Sequence, residues 1–172
     1  KIKDLWKDNF RDILNEVLRR EGEYELIKIS KELDKKQKIE SSDKILTFIY
    51  NGYISEKKDM QSIEIFATEI DNTIHKDIYE KIYSRNIREK INEINKISEL
   101  TERIRMEQEF FIYIQSIPFS RTFIDEAEEI LKDKNEKEEI KVILMELIKI
   151  YKANQMEEKA KNAYDILVYD KL

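Results

Sequence analysis

One histidine, His75 in the stretch DNTIHKD, is the only side chain here whose ordinary titration falls near neutral pH. A histidine does chemistry with partners: a second histidine or carboxylates around a metal, or a serine and an acid in a relay. No His-Glu-x-x-His pattern and no serine in a strand-to-helix elbow accompanies it. Ile74, Ile78 and Ile82 form an apolar stripe beside it, so the expected role of His75 is a half-exposed structural one. Asp125, Glu126, Glu128 and Glu129 could in principle supply paired carboxylates. Di-iron helical sites also need Glu-x-x-His partners, which the chain lacks, so a solvated face opposite Ala127 and Ile130 is expected. With 2 glycines the chain cannot build a glycine-rich phosphate loop, and with 0 cysteines it offers no thiol nucleophile or disulfide. No enzyme site, metal site or cofactor is expected.

Arg85, Arg88, Lys90, Arg103 and Arg105 alternate with Glu89, Glu93, Glu99 and Glu102. That reads as a charge-balanced surface. Across the chain 32 basic and 37 acidic residues give a net charge of −5, with no basic block to track a phosphate backbone, so nucleic acid is not an expected partner. Phe110, Phe111, Tyr113, Phe119 and Phe123 form an aromatic group. Adjacent Phe110 and Phe111 point about 100° apart on a helix. Either their helix is buried on two sides, which is the favoured reading, or one ring faces a partner.

The elements that carry these residues read as helices. Hydrophobic residues make up 41% of 172, enough for a core despite 40% charged residues, while 2 glycines and 1 proline are too few for the turns of a sheet protein. An all-α fold follows, expected as one domain of antiparallel hairpins over residues 1–172, with possible sub-units 1–72, 73–105 and 106–172. Ile2, Leu5, Trp6, Phe10, Ile13, Leu14, Val17 and Leu18 mark a first helix that Gly22 ends. A second carries Tyr24 to Leu33, and Ser41, Ser42 and Asp43 are expected to cap a third, through Ile45 to Tyr50. Asn51-Gly52 lacks alternating flanks, so a helix end running on to Tyr53 and Ile54 is expected rather than a hairpin. Helices from Asp59 and through Ile74, Ile78 and Ile82 follow. The stripe from Ile87 to Pro118 is one long helix or two with a break near Ser98 or Thr101. Ser120 or Thr122 caps the next, and Asn135 with Glu138 resembles a capping box before Ile140 to Tyr151.

The last two helices have a spacing of their own. Leu144, Leu147, Tyr151, Ala160 and Tyr164 repeat the steps of Leu46, Ile49, Tyr53, Ser62 and Phe66, and a shift of about 33 residues places Leu144 on Phe111 and Leu147 on Ile114. This pattern resembles the tetratricopeptide repeat, best over residues 43–72 and 106–172. The family's first-helix glycine is replaced here by Tyr50 and Ile148, and its closing proline is absent. The resemblance implies an α-solenoid, the alternative being an irregular helical bundle, with Ala160 and Tyr164 packing between helices. It also implies a groove along the first helices that takes a peptide or partner helix. Periodicity then places Thr47, Asn51, Ile112, Ser116, Met145, Lys149 and Lys152 on that groove.

The expected function is therefore a non-catalytic protein-interaction module or scaffold. The alternative is a helical domain of a surface lipoprotein, whose general texture this composition resembles, binding a host or envelope protein. Lys1 in place of methionine points to a trimmed or processed chain, so the compartment stays open between cytoplasm and cell envelope. No apolar run approaches the roughly 20 residues of a membrane span. The oligomeric state is not encoded in any pattern above.

Overall fold

The computed structural model describes residues 2–118 and 120–169, with side chains from residue 9 onward. Phe119 and the side chains of Ile2, Leu5 and Trp6 lie outside the described residues. The fold is all-α. In chain order the helices are α1 (Ile2–Glu21), α2 (Glu23–Lys35), α3 (Ile39–Ser55), α4 (Met60–Thr68), α5 (Lys76–Asn95), α6 (Leu100–Ser116), α7 (Ile124–Glu128), α8 (Lys137–Ala153) and α9 (Glu157–Val168). Short 3-10 turns, Ser120–Phe123 and Glu129–Leu131, flank α7. Among the described residues no helix is long and apolar enough to cross a membrane.

The chain divides into two compact units, Lys1–Ile82 and Tyr83–Leu172. The first buries Leu14, Leu26, Ile27, Ile45, Leu46, Ile49, Ile63 and Phe66. The second buries Ile87, Phe110, Phe111, Ile114, Phe123, Ile124, Ile130, Ile143 and Leu147. Phe110 and Phe111 are both buried, at 3% and 0% exposure, with rings 5.3 Å apart edge to face. Their helix is therefore packed on two sides.

Local chemistry explains most helix ends. Gly22 at φ 83° turns the chain between α1 and α2 in a conformation that costs glycine nothing. Asp59 accepts from the Ser62 amide at 2.7 Å and starts α4. Glu99 caps α6 through the amides of Thr101 and Glu102, after a break at residues 96–99 that divides the stripe from Ile87 to Pro118. Elsewhere the expected caps are corrected. Ile39 rather than Ser42 begins α3, so Ser41, Ser42 and Asp43 fall inside the helix. Glu136 precedes α8 without a side-chain cap, so Asn135 and Glu138 form no capping box. Asn51-Gly52 lies inside α3, which runs on to Ser55.

Three hairpins turn in the same way without glycine. After α2, α3 and α8 the residues Gln37, Lys57 and Gln155 adopt left-handed backbone, φ 58°, 54° and 56°. In each, the next amide reaches back five residues: Lys38 to Leu33, Lys58 to Tyr53, and Met156 to Tyr151 at 2.8 Å. This doubly bonded C-terminus satisfies carbonyls that would otherwise be orphaned, at a cost of roughly 1–2 kcal/mol for a residue carrying a Cβ. In the hairpin of α8 and α9, Leu144, Leu147, Tyr151, Ala160 and Ala163 are buried. Tyr164, expected to pack beside Ala160, is 56% exposed instead.

Three pairs of helix starts share one step. From Glu23 to Met60, from Ile39 to Lys76 and from Leu100 to Lys137 it is 37 residues each time. Within the second unit α6 and α8 lie side by side with their first turns together, because Arg103 near the start of α6 grips Glu139 near the start of α8.

Replacing Gln155 by Gly relieves the left-handed strain at one hairpin. The unfolding midpoint in urea is expected to rise, by about 0.5–1 kcal/mol after the added freedom of the unfolded chain is subtracted. Gln155→Val should lower it, and Gln155→Ala should leave it nearly unchanged.

Candidate functional site: a groove beside a buried histidine

In the first unit α1 and α3 do not close fully. Between them runs a groove of about 600 Å³. Phe10, Leu14 and Leu18 line it from α1, and Phe48, Ile49 and Tyr53 from α3. Thr47 and Asn51, one helical turn apart, stand in this lining. Charge is unequal along it: Glu23, Asp43 and Glu56 face Arg11 and Lys44. Lys44 is shared with Glu40 at 3.5 Å. Glu23 accepts from the Tyr53 hydroxyl, and burial raises its carboxyl above the usual range, only partly offset by the charge of Lys58. Among the described residues no cation lies within ion-pair distance of Glu23.

The other expected groove residues fall in the second unit. Ile112 and Ser116 on α6, and Met145, Lys149 and Lys152 on α8, are exposed. Ser116 spends its hydroxyl on the Tyr113 carbonyl at 2.6 Å, and Lys149 pairs with Glu146 at 3.1 Å. None of the five lines either of two cavities in this unit. The larger, about 530 Å³, has a floor of Leu144, Leu147 and Tyr151 and a rim that includes Glu128 and Lys159. Tyr151 donates to Glu128 at 2.9 Å, and Lys159 reaches the same oxygen at 2.7 Å. Burial, then Glu128, pushes the Tyr151 phenol far up. Part of the acidic group expected to be solvated is thus engaged: Glu126 accepts from Ser84 and Glu128 from Tyr151, while Asp125 stays exposed.

His75 is not half-exposed. It is buried at 2%, directly before α5, and both ring nitrogens are occupied. Nε2 lies 2.8 Å from Asp34 on α2 and 3.2 Å from the Ser42 hydroxyl on α3, and Nδ1 lies 3.0 Å from Asp43 on α3. Ser42 and Ser30, both buried, join hydroxyls at 2.8 Å. Serine, histidine and aspartate are connected here as in a nucleophilic relay, but the chemistry is blocked. Ser42 is 0% exposed inside a helix, its hydroxyl lies 3.0 Å from the Ser30 carbonyl, and Asp34 competes for the nitrogen that would serve as base. The cluster ties the segment before α5 to α2 and α3. Asp71 orders the same segment by accepting from the Thr73 and Ile74 amides.

The second unit holds a different buried cluster. Arg103, read from sequence as surface, grips Glu139 with its Nε at 2.9 and 3.0 Å. Lys134 contacts Glu139 at 3.0 Å, Glu107 at 3.1 Å and Asn95 at 2.9 Å. Glu107 is 0% exposed, and although Lys134 is close, neither carboxylate oxygen receives a well-directed hydrogen bond. Burial therefore raises Glu107 to about 7, with Lys134 opposing. Burial acts the same way on Glu139, but Arg103 and Lys134 outweigh it and pull that carboxyl down to about 2. Among the described residues no group of three or more His, Asp or Glu side chains is placed to share a metal ion.

Both clusters were missed by sequence reasoning, and both left a trace in it. Glu107 stands three, four and seven residues before Phe110, Phe111 and Ile114, and Ser42 three, four and seven before Ile45, Leu46 and Ile49. Each is a polar residue written into an apolar stripe.

Comparison of the chain with protein-family models, with curated proteins and with solved structures gives no match.

The carboxyl of Glu107 gives unit two a pH dependence with a definite sign. A carboxyl raised from 4.5 to about 7 lends stability that is complete below pH 4.5 and is lost as pH rises through about 7. The loss amounts to roughly 3 kcal/mol. Glu107→Gln should flatten the stability profile between pH 4.5 and 8 and be no less stable than the wild type at pH 8, as read by urea denaturation at each pH.

Proposed function

We propose that the chain is a non-catalytic protein-interaction module that holds an amphipathic segment of a partner protein in the groove between α1 and α3. The observation that carries this reading is the groove itself. It is open, it is walled on two sides by apolar side chains, and it contains the polar groups Thr47 and Asn51. A partner helix would lay apolar residues at i and i+4 against Phe10, Leu14 and Phe48, while polar groups at Thr47 and Asn51 set its register.

The charge of the lining favours one kind of partner. Three carboxylates face two cations, one of which is already shared with Glu40, so a segment carrying lysine or arginine beside its apolar anchors is the complementary one. Glu23 is the group that gains most, because its half-buried carboxylate has only a neutral hydroxyl donor.

The proposal extends to a tetratricopeptide-like scaffold of stacked hairpins. It is supported by the 37-residue step shared by three pairs of helix starts, by the shared turn geometry after α2, α3 and α8, and by the side-by-side first turns of α6 and α8. Stacked hairpins that each bury one face against a neighbour are a common route to extended protein-binding surfaces.

A display library of amphipathic 15-residue peptides tests the reading. Peptides enriched on the wild type should carry lysine or arginine beside their apolar anchors. Thr47→Arg with Asn51→Arg should weaken them more than tenfold while circular dichroism and the unfolding midpoint stay within about 0.5 kcal/mol. Lys149→Glu with Lys152→Glu is the contrasting pair. Loss of binding there, with the Thr47 and Asn51 variant unaffected, would move the interface to α8.

A further inference from the structure

We propose that His75 gates the negative charge of the groove: protonated, it holds Asp43; neutral, it releases Asp43 to a cation carried by the partner. The inference rests on the groove reading above and names its regulation.

The geometry allows the ring only one state that satisfies both neighbours. Carboxylate oxygens lie 2.8 Å from Nε2 and 3.0 Å from Nδ1. A carboxylate can only accept, so both contacts are hydrogen bonds only when both nitrogens carry hydrogen. A neutral imidazole has one N–H, and its other nitrogen then presents a lone pair to a carboxylate. One of the two contacts must be given up.

Burial decides which. The Asp34 side chain is 14% exposed and that of Asp43 is 49%. An unpaired carboxylate costs far more where water cannot replace the lost donor. The proton that leaves is therefore the one on Nδ1, which passes to solvent. Nε2–H stays on Asp34, and Asp43 is freed. Asp43 is also part of the groove lining, so the freed charge appears where a partner would lie.

The surrounding groups do not cancel the effect. From α2 the ring meets Asp34; from α3 it meets Asp43 and the neutral Ser42, backed by Ser30. On its own segment Asp71 is a carboxylate already held by Thr73 and Ile74, and Lys76 and Asp77 are exposed neighbours of opposite sign. Loss of the second ring proton therefore leaves the groove more negative.

Because the chain has a single histidine, its ring nitrogens can be followed without assignment by ¹⁵N NMR. The expected result is two protonated nitrogens at low pH and the Nε2–H tautomer at high pH. The Asp43 carboxyl ¹³C shift should step at the same pH, and the step should vanish in His75→Gln. The binding probe is the tightest lysine-bearing peptide from the library above. Its affinity for the wild type should rise at least threefold across the pH at which the ring loses its second N–H, and stay flat for Asp43→Asn, a half-exposed position where the substitution keeps the contact of His75 with Asp34. An Nδ1–H tautomer, an Asp43 shift without a step, or a pH response unchanged in Asp43→Asn would overturn the gate while the groove stands. If no peptide binds at any pH, the groove reading falls and the gate falls with it.

Discussion

A helix of 5 to 20 residues, the range seen here, is marginal in water by itself, because forming its first turn fixes several residues for one hydrogen bond. Burying one face against a neighbour is the constraint on which everything else in this chain depends. It explains why Leu26, Ile45, Leu46 and Ile63 are almost wholly buried in the first unit, and Phe111, Ile114, Ile124 and Ile143 in the second. It explains the turns as well. With 2 glycines in 172 residues, hairpins must reverse on glutamine, lysine or aspartate in left-handed backbone, and the packed helices hold them there.

The same constraint gives the polar residues within the stripes their roles. A serine, histidine or glutamate on a buried face loses water and must find partners among its neighbours. In the first unit Ser30, Ser42 and His75 do so with one another and with two aspartates. In the second, Arg103 and Lys134 are drawn in to meet Glu139 and Glu107. Breaking such a cluster by removing one partner leaves a buried group unpaired, which costs more than the cluster contributes when intact. These clusters fix which helix faces meet more than they add net stability.

How much of this was legible in the sequence follows from what a helical stripe encodes. All-α structure, the stop at Pro118 and the burial of Phe110 and Phe111 come from periodicity and from backbone chemistry local to a few residues, whereas the stripe from Ile87 left one long helix or two equally open. The start of α3 was misplaced because Ser42 is a good cap in isolation, and only a contact 33 residues away, to His75, shows that it belongs inside the helix. The repeat step shows a subtler limit. A shift of 33 residues aligns Leu144 with Phe111, whereas helix starts recur at 37. The difference of four is about one turn and leaves the buried face almost unchanged, so apolar spacing cannot tell the two apart. Periodicity gives the outward face of α3 with Thr47 and Asn51 on it, but neither the groove between α1 and α3 nor the carboxylates beside them.

What separates the two buried clusters is their access to the surface. Glu107 and Glu139 are sealed at 0% exposure and line none of the cavities described above, so a proton gained there changes the stability of the unit around it. His75 is sealed too, but one of its partners is not. Asp43 is bonded to the buried ring on one side and borders the open groove on the other. A proton on His75 is therefore felt at the groove through a single side chain, without any movement of the helices. A buried titratable group can act outward only through a partner that remains half in water, and in the first unit that partner is Asp43.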